Sequence, residues 1–131
     1  MSATLRNILH ARTGPHFEPW VRKMTPADRL VLRSLEGAPP KVVFHCFSGD
    51  AEFARRCVDA GYVLSFAGTV TFRNANALRD ALAVIPTCQL LVETDAPFLT
   101  PHPFRGRPNE PYCAAYTLRA LAQFRDVDVA A

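Results

Sequence analysis

No two cysteines in this sequence are spaced as C-x-x-C. The four present, Cys46, Cys57, Cys88 and Cys113, lie far apart. That spacing argues against a zinc ribbon or a thioredoxin-like redox site and reads as reduced, mostly buried thiols of a cytoplasmic protein. Also missing is any apolar run near the roughly 18 residues needed to span a bilayer, so no membrane is expected as a partner. Low-complexity tracts are absent, as are internal repeats beyond the strand–helix alternation described below. Before Glu18 there is no acid: Met1 to Trp20 carries Arg6, Arg12, His10 and His16. A transit peptide is the lesser reading of that stretch, because the Ser-rich amphipathic pattern is weak.

What is present fits one globular domain. The chain has 131 residues, 49% apolar and 21% charged, with a net charge of +3. That is enough for a modest core. The charge permits a phosphate-bearing partner without requiring one, since nucleic-acid binders concentrate their charge. Residues 1–24, with Gly14, Pro15 and Pro19, show no periodicity and are read as an irregular, divergent segment. Residues 25–131 form the structured domain.

From Thr25 the pattern becomes regular. Thr25-Pro26-Ala27-Asp28 is a helix start, with Thr25 as cap and Pro26 in the first turn. The helix should run to about Glu36 and stop at Gly37. Val42-Val43-Phe44 reads as a buried strand. Ser48-Gly49-Asp50 then turns the chain and caps a helix whose Ala54, Cys57 and Val58 share a face, with Gly61 at its end. A second strand covers Tyr62 to Phe66. Asn74 is the expected cap of a third helix, with Leu78, Leu82 and Ile85 inward and Pro86 beyond. Leu90-Leu91-Val92 is a third strand, followed by a Pro-rich loop from Pro97 to Pro108. Asn109 is the expected cap of a last helix with Tyr112, Ala115, Leu118 and Leu121 facing the core. Three buried strands alternating with helices imply an α/β fold with a parallel sheet, whose sites lie at the carboxyl ends of the strands.

Three groups at those ends could carry chemistry. His45 closes the first strand and can ligate a divalent metal, although a hydrogen-bonded core histidine is the commoner case for a lone imidazole. Asp95, in Val92-Glu93-Thr94-Asp95-Ala96-Pro97, can ligate metal or accept a proton from water; a loop cap is the structural alternative. Glu93 lies two residues earlier and can support the site from behind. The loop His102-Pro103-Phe104-Arg105-Gly106-Arg107 has two arginines and no acid, a composition suited to phosphate or to simple solvation. Backbone N–H groups at the helix start near Ser48 are a further place for phosphate.

Four segments taken together resemble the TatD family of metal-dependent hydrolases. They are Val43-Phe44-His45-Cys46-Phe47-Ser48-Gly49, Leu64-Ser65-Phe66-Ala67-Gly68-Thr69-Val70-Thr71-Phe72, Leu91-Val92-Glu93-Thr94-Asp95-Ala96-Pro97-Phe98-Leu99, and Pro103-Phe104-Arg105-Gly106-Arg107-Pro108-Asn109-Glu110-Pro111. Long matches in one order are far more specific than a single short motif. They extend from about residue 38 to residue 121. The resemblance implies a TIM (β/α)₈ barrel of metal-dependent hydrolase type, of which this chain supplies the C-terminal three βα units, with the N-terminal units missing. It implies phosphodiester hydrolysis of DNA, often as a 3′-to-5′ exonuclease, with Mg²⁺, Mn²⁺ or Zn²⁺. By resemblance His45 and Asp95 are metal ligands, and Asp95 is also the catalytic base. Arg105 and Ser48 are phosphate-binding candidates, and Glu93 is a support behind the ligands.

The sequence departs from the family in ways that bear on activity. It has no His-x-His, and Val21-Arg22-Lys23-Met24 stands where a middle-strand histidine is expected. A barrel typically needs about 250 residues, so three units cannot close one. The open edge should expose backbone and apolar surface, inviting a partner chain or self-association. Three readings follow. One is a DNA hydrolase that takes its remaining ligands from another polypeptide. Another is an inactive remnant that retains weak phosphate or nucleic-acid binding. The third is hydrolysis of a different ester or amide by the same metal chemistry. The hydrolase readings depend on His45 and Asp95 meeting at one mouth of the sheet.

Overall fold

The computed structural model describes residue 26, residue 30, residues 33–35 and residues 42–130. The segment 1–24 and most of the helix expected from Thr25 lie outside the described residues. Positions 26, 30, 33 and 34 are helical, and the Ser34 hydroxyl donates to the Leu30 carbonyl at 2.9 Å.

The remaining chain alternates as its apolar pattern requires. Strand β1 (Val43–Phe44) leads to helix α1 (Ala51–Asp59), then β2 (Val63–Phe66), a 3₁₀ turn (Gly68–Thr71) and helix α2 (Asn76–Ala83). A second 3₁₀ turn (Thr87–Gln89) enters β3 (Leu90–Val92), and after the Pro-rich loop a third (Pro111–Cys113) enters α3 (Ala114–Phe124). The strands form one parallel sheet in the order β1-β2-β3, with Phe44 opposite Leu64 and Phe66 opposite Val92.

Register fixes what each face does, because paired residues of a parallel ladder project to the same side. Phe44, Leu64, Phe66, Leu90 and Val92 belong to the side packed against Phe53, Ala54, Cys57, Leu78, Leu82, Ile85 and Leu121 of the helical layer. Full burial of a side chain such as Leu64 or Leu82 contributes roughly 1.5–3 kcal/mol. The opposite side carries Val43 and Leu91, which remain 55% and 49% exposed. The sheet is therefore covered on one face only among the described residues, which corrects the reading of the strands as fully buried: three strands cannot close a barrel and so do not enclose their second face. An apolar groove of about 310 Å³ also runs between β3, Leu118 and Leu121 of α3, and Val127 and Val129.

Several local expectations hold. Asp50 caps α1, its Oδ1 accepting from the Phe53 N–H at 2.8 Å. Gly61, at φ +78°, ends that helix in the left-handed conformation glycine adopts without a Cβ clash. Leu78, Leu82 and Ile85 are buried.

Other expectations are corrected. Asn74 does not cap α2, which begins at Asn76 with Ala75 before it and no side-chain cap. Asn109 does not cap α3: the preceding 3₁₀ turn starts after Glu110, and the Asn109 amide turns back into the loop. The inward face of α3 differs from the one the sequence pattern suggests. Cys113, Thr117, Leu121 and Ala122 face inward, while Tyr112 (59% exposed), Ala115 and Leu118 do not. The four cysteines form no disulfide; Cys57 and Cys113 are buried, but Cys88 is exposed.

One glycine is required by close approach. A Cβ on Gly68 would overlap the Leu99 carbonyl oxygen and stand 2.8 Å from the Pro101 nitrogen. Both obstacles are backbone and cannot swing aside. Gly68→Ala should cost about 1–3 kcal/mol, the usual range for overpacking, by displacing the loop after β3. Urea unfolding checks this, and an unchanged midpoint would contradict it.

Candidate metal centre

The carboxyl ends of the three strands build the site. Hydrogen bonds beyond the formal strands hold the loops in place: Phe47 N–H donates to Ser65 O at 2.8 Å, and Glu93 N–H to Phe66 O at 2.9 Å. The first pins the turn containing His45 and Cys46 against β2; the second carries β3 onward to Glu93. Cys46 and Asp95 then adopt positive φ of 48° and 58°, turning the chain sharply where each strand stops.

This arrangement brings His45, Glu93 and Asp95 together, with one potential ligand atom from each within 4.8 Å of the others. His45 and Asp95, fifty positions apart, thus share one end of the sheet. His45 Nδ1 stands 3.4 Å from Glu93 Oε1, and its side chain is 80% exposed on the uncovered side, against 20% for Glu93. Glu93 Oε2 also accepts from the Cys46 N–H at 3.0 Å, and Ser65 bonds the same carboxylate. With donors from His45, Cys46 and Ser65 around it, Glu93 is better suited to orienting the imidazole than to serving as an open ligand. Ser65 and the Cys46 N–H were missed by the sequence reading. Alternation did signal Ser65, which lies on the same side of the sheet as Leu91 and Glu93.

Burial alone would raise the Glu93 carboxyl. The hydrogen bonds from Ser65, Cys46 and His45, with the charge of His45, outweigh it and hold the group below its ordinary value near 4.5. A carboxyl depressed in the folded state contributes stability that is complete above its unfolded pKa and is lost as pH falls through the folded one. The chain should therefore lose stability as pH falls below the ordinary carboxyl value near 4.5, and Glu93→Gln should flatten that profile. Urea titrations across this window check the prediction; parallel profiles would contradict it. Burial, then Asp95 and Glu93, push the Cys46 thiol up. It thus stays protonated, with Sγ 4.0 Å from Asp95 Oδ2.

The two phosphate candidates occupy the same end of the sheet but do not join the trio. Ser48 is exposed in the turn between His45 and α1. Arg105 is exposed, with its guanidinium carbon 3.8 Å from the centre of the Phe72 ring. The backbone joins these loops as well: His102 N–H donates to Thr71 Oγ1 at 3.0 Å.

An imidazole and two carboxylates at this separation suit a divalent cation, and the donor mixture does not separate Mg²⁺, Mn²⁺ and Zn²⁺. His45 and Asp95 fit such an ion as direct ligands, with Glu93 behind His45. The fold and this donor set define a metal-hydrolase type of α/β protein.

Comparison with known proteins agrees. The family described as TatD related DNase matches residues 8–131. The chain is 58% identical over 117 residues to an uncharacterized metal-dependent hydrolase, TatD, of Mycobacterium tuberculosis, covering 88% of this chain and 43% of that protein. It is 46% identical over 104 residues to the uncharacterized metal-dependent hydrolase YcfH of Escherichia coli K12, covering 79% and 39%. The crystal structure of YJJV, a TatD homolog from Escherichia coli K12, superposes with a TM-score of 0.70 at 36% identity, over 79% of this chain and 40% of that one. A TatD family hydrolase from Entamoeba histolytica shares the fold, with a TM-score of 0.65 at 19% identity. The chain belongs to the TatD family of metal-dependent hydrolases. It spans about two-fifths of the length of these relatives. No helix among the described residues is long and apolar enough to cross a membrane.

Proposed function

We propose that this chain carries part of the active site of a metal-dependent phosphodiesterase acting on DNA, with 3′-to-5′ exonuclease polarity. The observation that supports this best is the convergence of His45, Glu93 and Asp95 at one end of a parallel sheet. A divalent ion held there would polarise a phosphoryl oxygen and lower the pKa of the attacking water. His45 and Asp95 would hold it, and Glu93 keeps the imidazole ring oriented. Asp95 also serves as the proton acceptor. Arg105 can grip phosphate through its guanidinium edge while its face rests on Phe72, a pairing that keeps the cation in place. Ser48, exposed before α1, offers a hydroxyl and neighbouring N–H groups to the same anion. DNA is thus the proposed partner. Cysteines outside any disulfide suit a cytoplasmic location.

A second reading rests on a specific observation: the chain matches about two-fifths of its relatives' length, and among the described residues its sheet is bare on the side of Val43 and Leu91. In that reading the chain is a half-site. It binds metal and phosphate weakly, and turnover needs ligands from further polypeptide. Incubating the purified chain with 3′-labelled DNA and Mn²⁺ or Mg²⁺ separates the two. Nucleotide release abolished by chelator supports the hydrolase. Metal binding without release supports the half-site. Release that chelator leaves untouched refutes both. Cleavage of a carboxylic ester or amide in place of DNA would transfer the same chemistry to another substrate.

A further inference from the structure

One side chain, Asn109, ties down the start of the loop after β3, and its bonds lie on both sides of Asp95. Asn109 is 3% exposed. Its Nδ2 donates to the Thr94 carbonyl and to the Phe98 carbonyl, each at 2.6 Å. Its backbone N–H donates to Pro97 O at 3.0 Å, and Phe98 N–H closes the turn onto Asp95 O at 2.9 Å. The side-chain oxygen has no partner, so the amide is anchored by its donor end. Within this turn Asp95 and Leu99 both take left-handed φ, 58° and 56°. Side chains other than glycine rarely hold that conformation unless their surroundings impose it.

We propose that Asn109 is the positioning residue for Asp95. Its amide clamps the carbonyls on either side of Asp95 and so fixes the left-handed turn that sets the carboxylate beside His45 and Glu93. Local backbone bonding alone does not secure this segment. The bond from Phe98 N–H to Asp95 O closes one turn, whereas the two carbonyls flanking it need a donor from fifteen and eleven residues away. A helix cap is not the role of Asn109, because neither the 3₁₀ turn nor α3 uses its side chain. Its amide bonds two loop carbonyls and none of the ligand atoms of His45, Glu93 or Asp95. It acts through the placement of a ligand, as do the residues behind ligands in metal sites generally.

The inference rests on the metal-site reading above, and the test separates the two. Mn²⁺ affinity of the full chain is measured by calorimetry, with thermal unfolding in parallel, for wild type, Asn109→Ala and Thr100→Val. Thr100 is the control: it is buried in the same loop and its hydroxyl donates to Arg107 O at 2.6 Å, away from Asp95. Asn109→Ala should weaken Mn²⁺ binding about 10- to 100-fold, the usual effect of removing a residue that orients a ligand. Thr100→Val should lower the melting temperature yet leave Mn²⁺ affinity as in wild type. If Asn109→Ala does not fold, Asn109→Ser, which keeps a shorter donor, is judged against the same control. Affinity in the Asn109 variant within about twofold of wild type, a change well short of that usual effect, overturns the positioning role and leaves the metal site standing. An equal loss in Thr100→Val reduces Asn109 to loop stability and also overturns it. No Mn²⁺ binding by wild type overturns the metal reading and the positioning role with it.

Discussion

Asp95→Asn should abolish calorimetric Mn²⁺ binding and lower metal-dependent DNA hydrolysis by more than about 100-fold, since removing even a residue that only orients a ligand costs about 10- to 100-fold. The substitution is informative because it should leave the loop intact. Asparagine has the same shape as aspartate and tolerates the left-handed φ of 58° found here. The backbone bond from Phe98 N–H to Asp95 O and the clamp from Asn109 involve no Asp95 side-chain atom. What disappears is the charge beside His45 and Glu93. Equal Mn²⁺ affinity and equal nucleotide release in wild type and variant, with both chains folded, would remove Asp95 from the site.

Phe66→Ala should destabilise the chain by about 3–5 kcal/mol, the usual cost of truncating a buried phenyl. That is a large share of the 5–15 kcal/mol typical of a domain. Phe66 is fully buried at the end of the central strand, with its ring centroid 5.7 Å from that of Phe47. The effect should reach the site, because Phe47 N–H bonds Ser65 O and that bond pins the turn carrying His45. Urea unfolding measures it. A loss below about 1 kcal/mol would mean that this aromatic cluster is not the centre of the core.

Much of this was legible in the residue order, for identifiable reasons. Val43-Phe44, Leu64 to Phe66 and Leu90-Leu91-Val92 are short apolar runs ended by polar residues, and each became a strand of one parallel sheet. Because such strands deliver their chain ends to one side, His45 and Asp95 could be placed together from sequence. The 4.8 Å grouping with Glu93 is the geometric form of that inference. What sequence did not reveal depends on partners distant along the chain. Asn109 looks like a helix cap because asparagine before a Pro-initiated turn usually is one; only the folded loop puts the Thr94 and Phe98 carbonyls within its reach. Tyr112 and Leu118 follow a helical period with Leu121, but the fold buries Cys113 and Thr117 instead. Thr117, polar and fully buried in mid-helix, has no local signal at all.

The central claim concerns one cation and two residues from opposite strands of the sheet. Its most direct test is a crystal of this chain soaked in Mn²⁺, with diffraction data collected at an energy where manganese scatters anomalously. The account predicts a single peak at about 2.0–2.4 Å from both a His45 ring nitrogen and an Asp95 carboxylate oxygen, the range for such ligands. A fully occupied peak elsewhere, with His45 and Asp95 bound only to solvent, would contradict it.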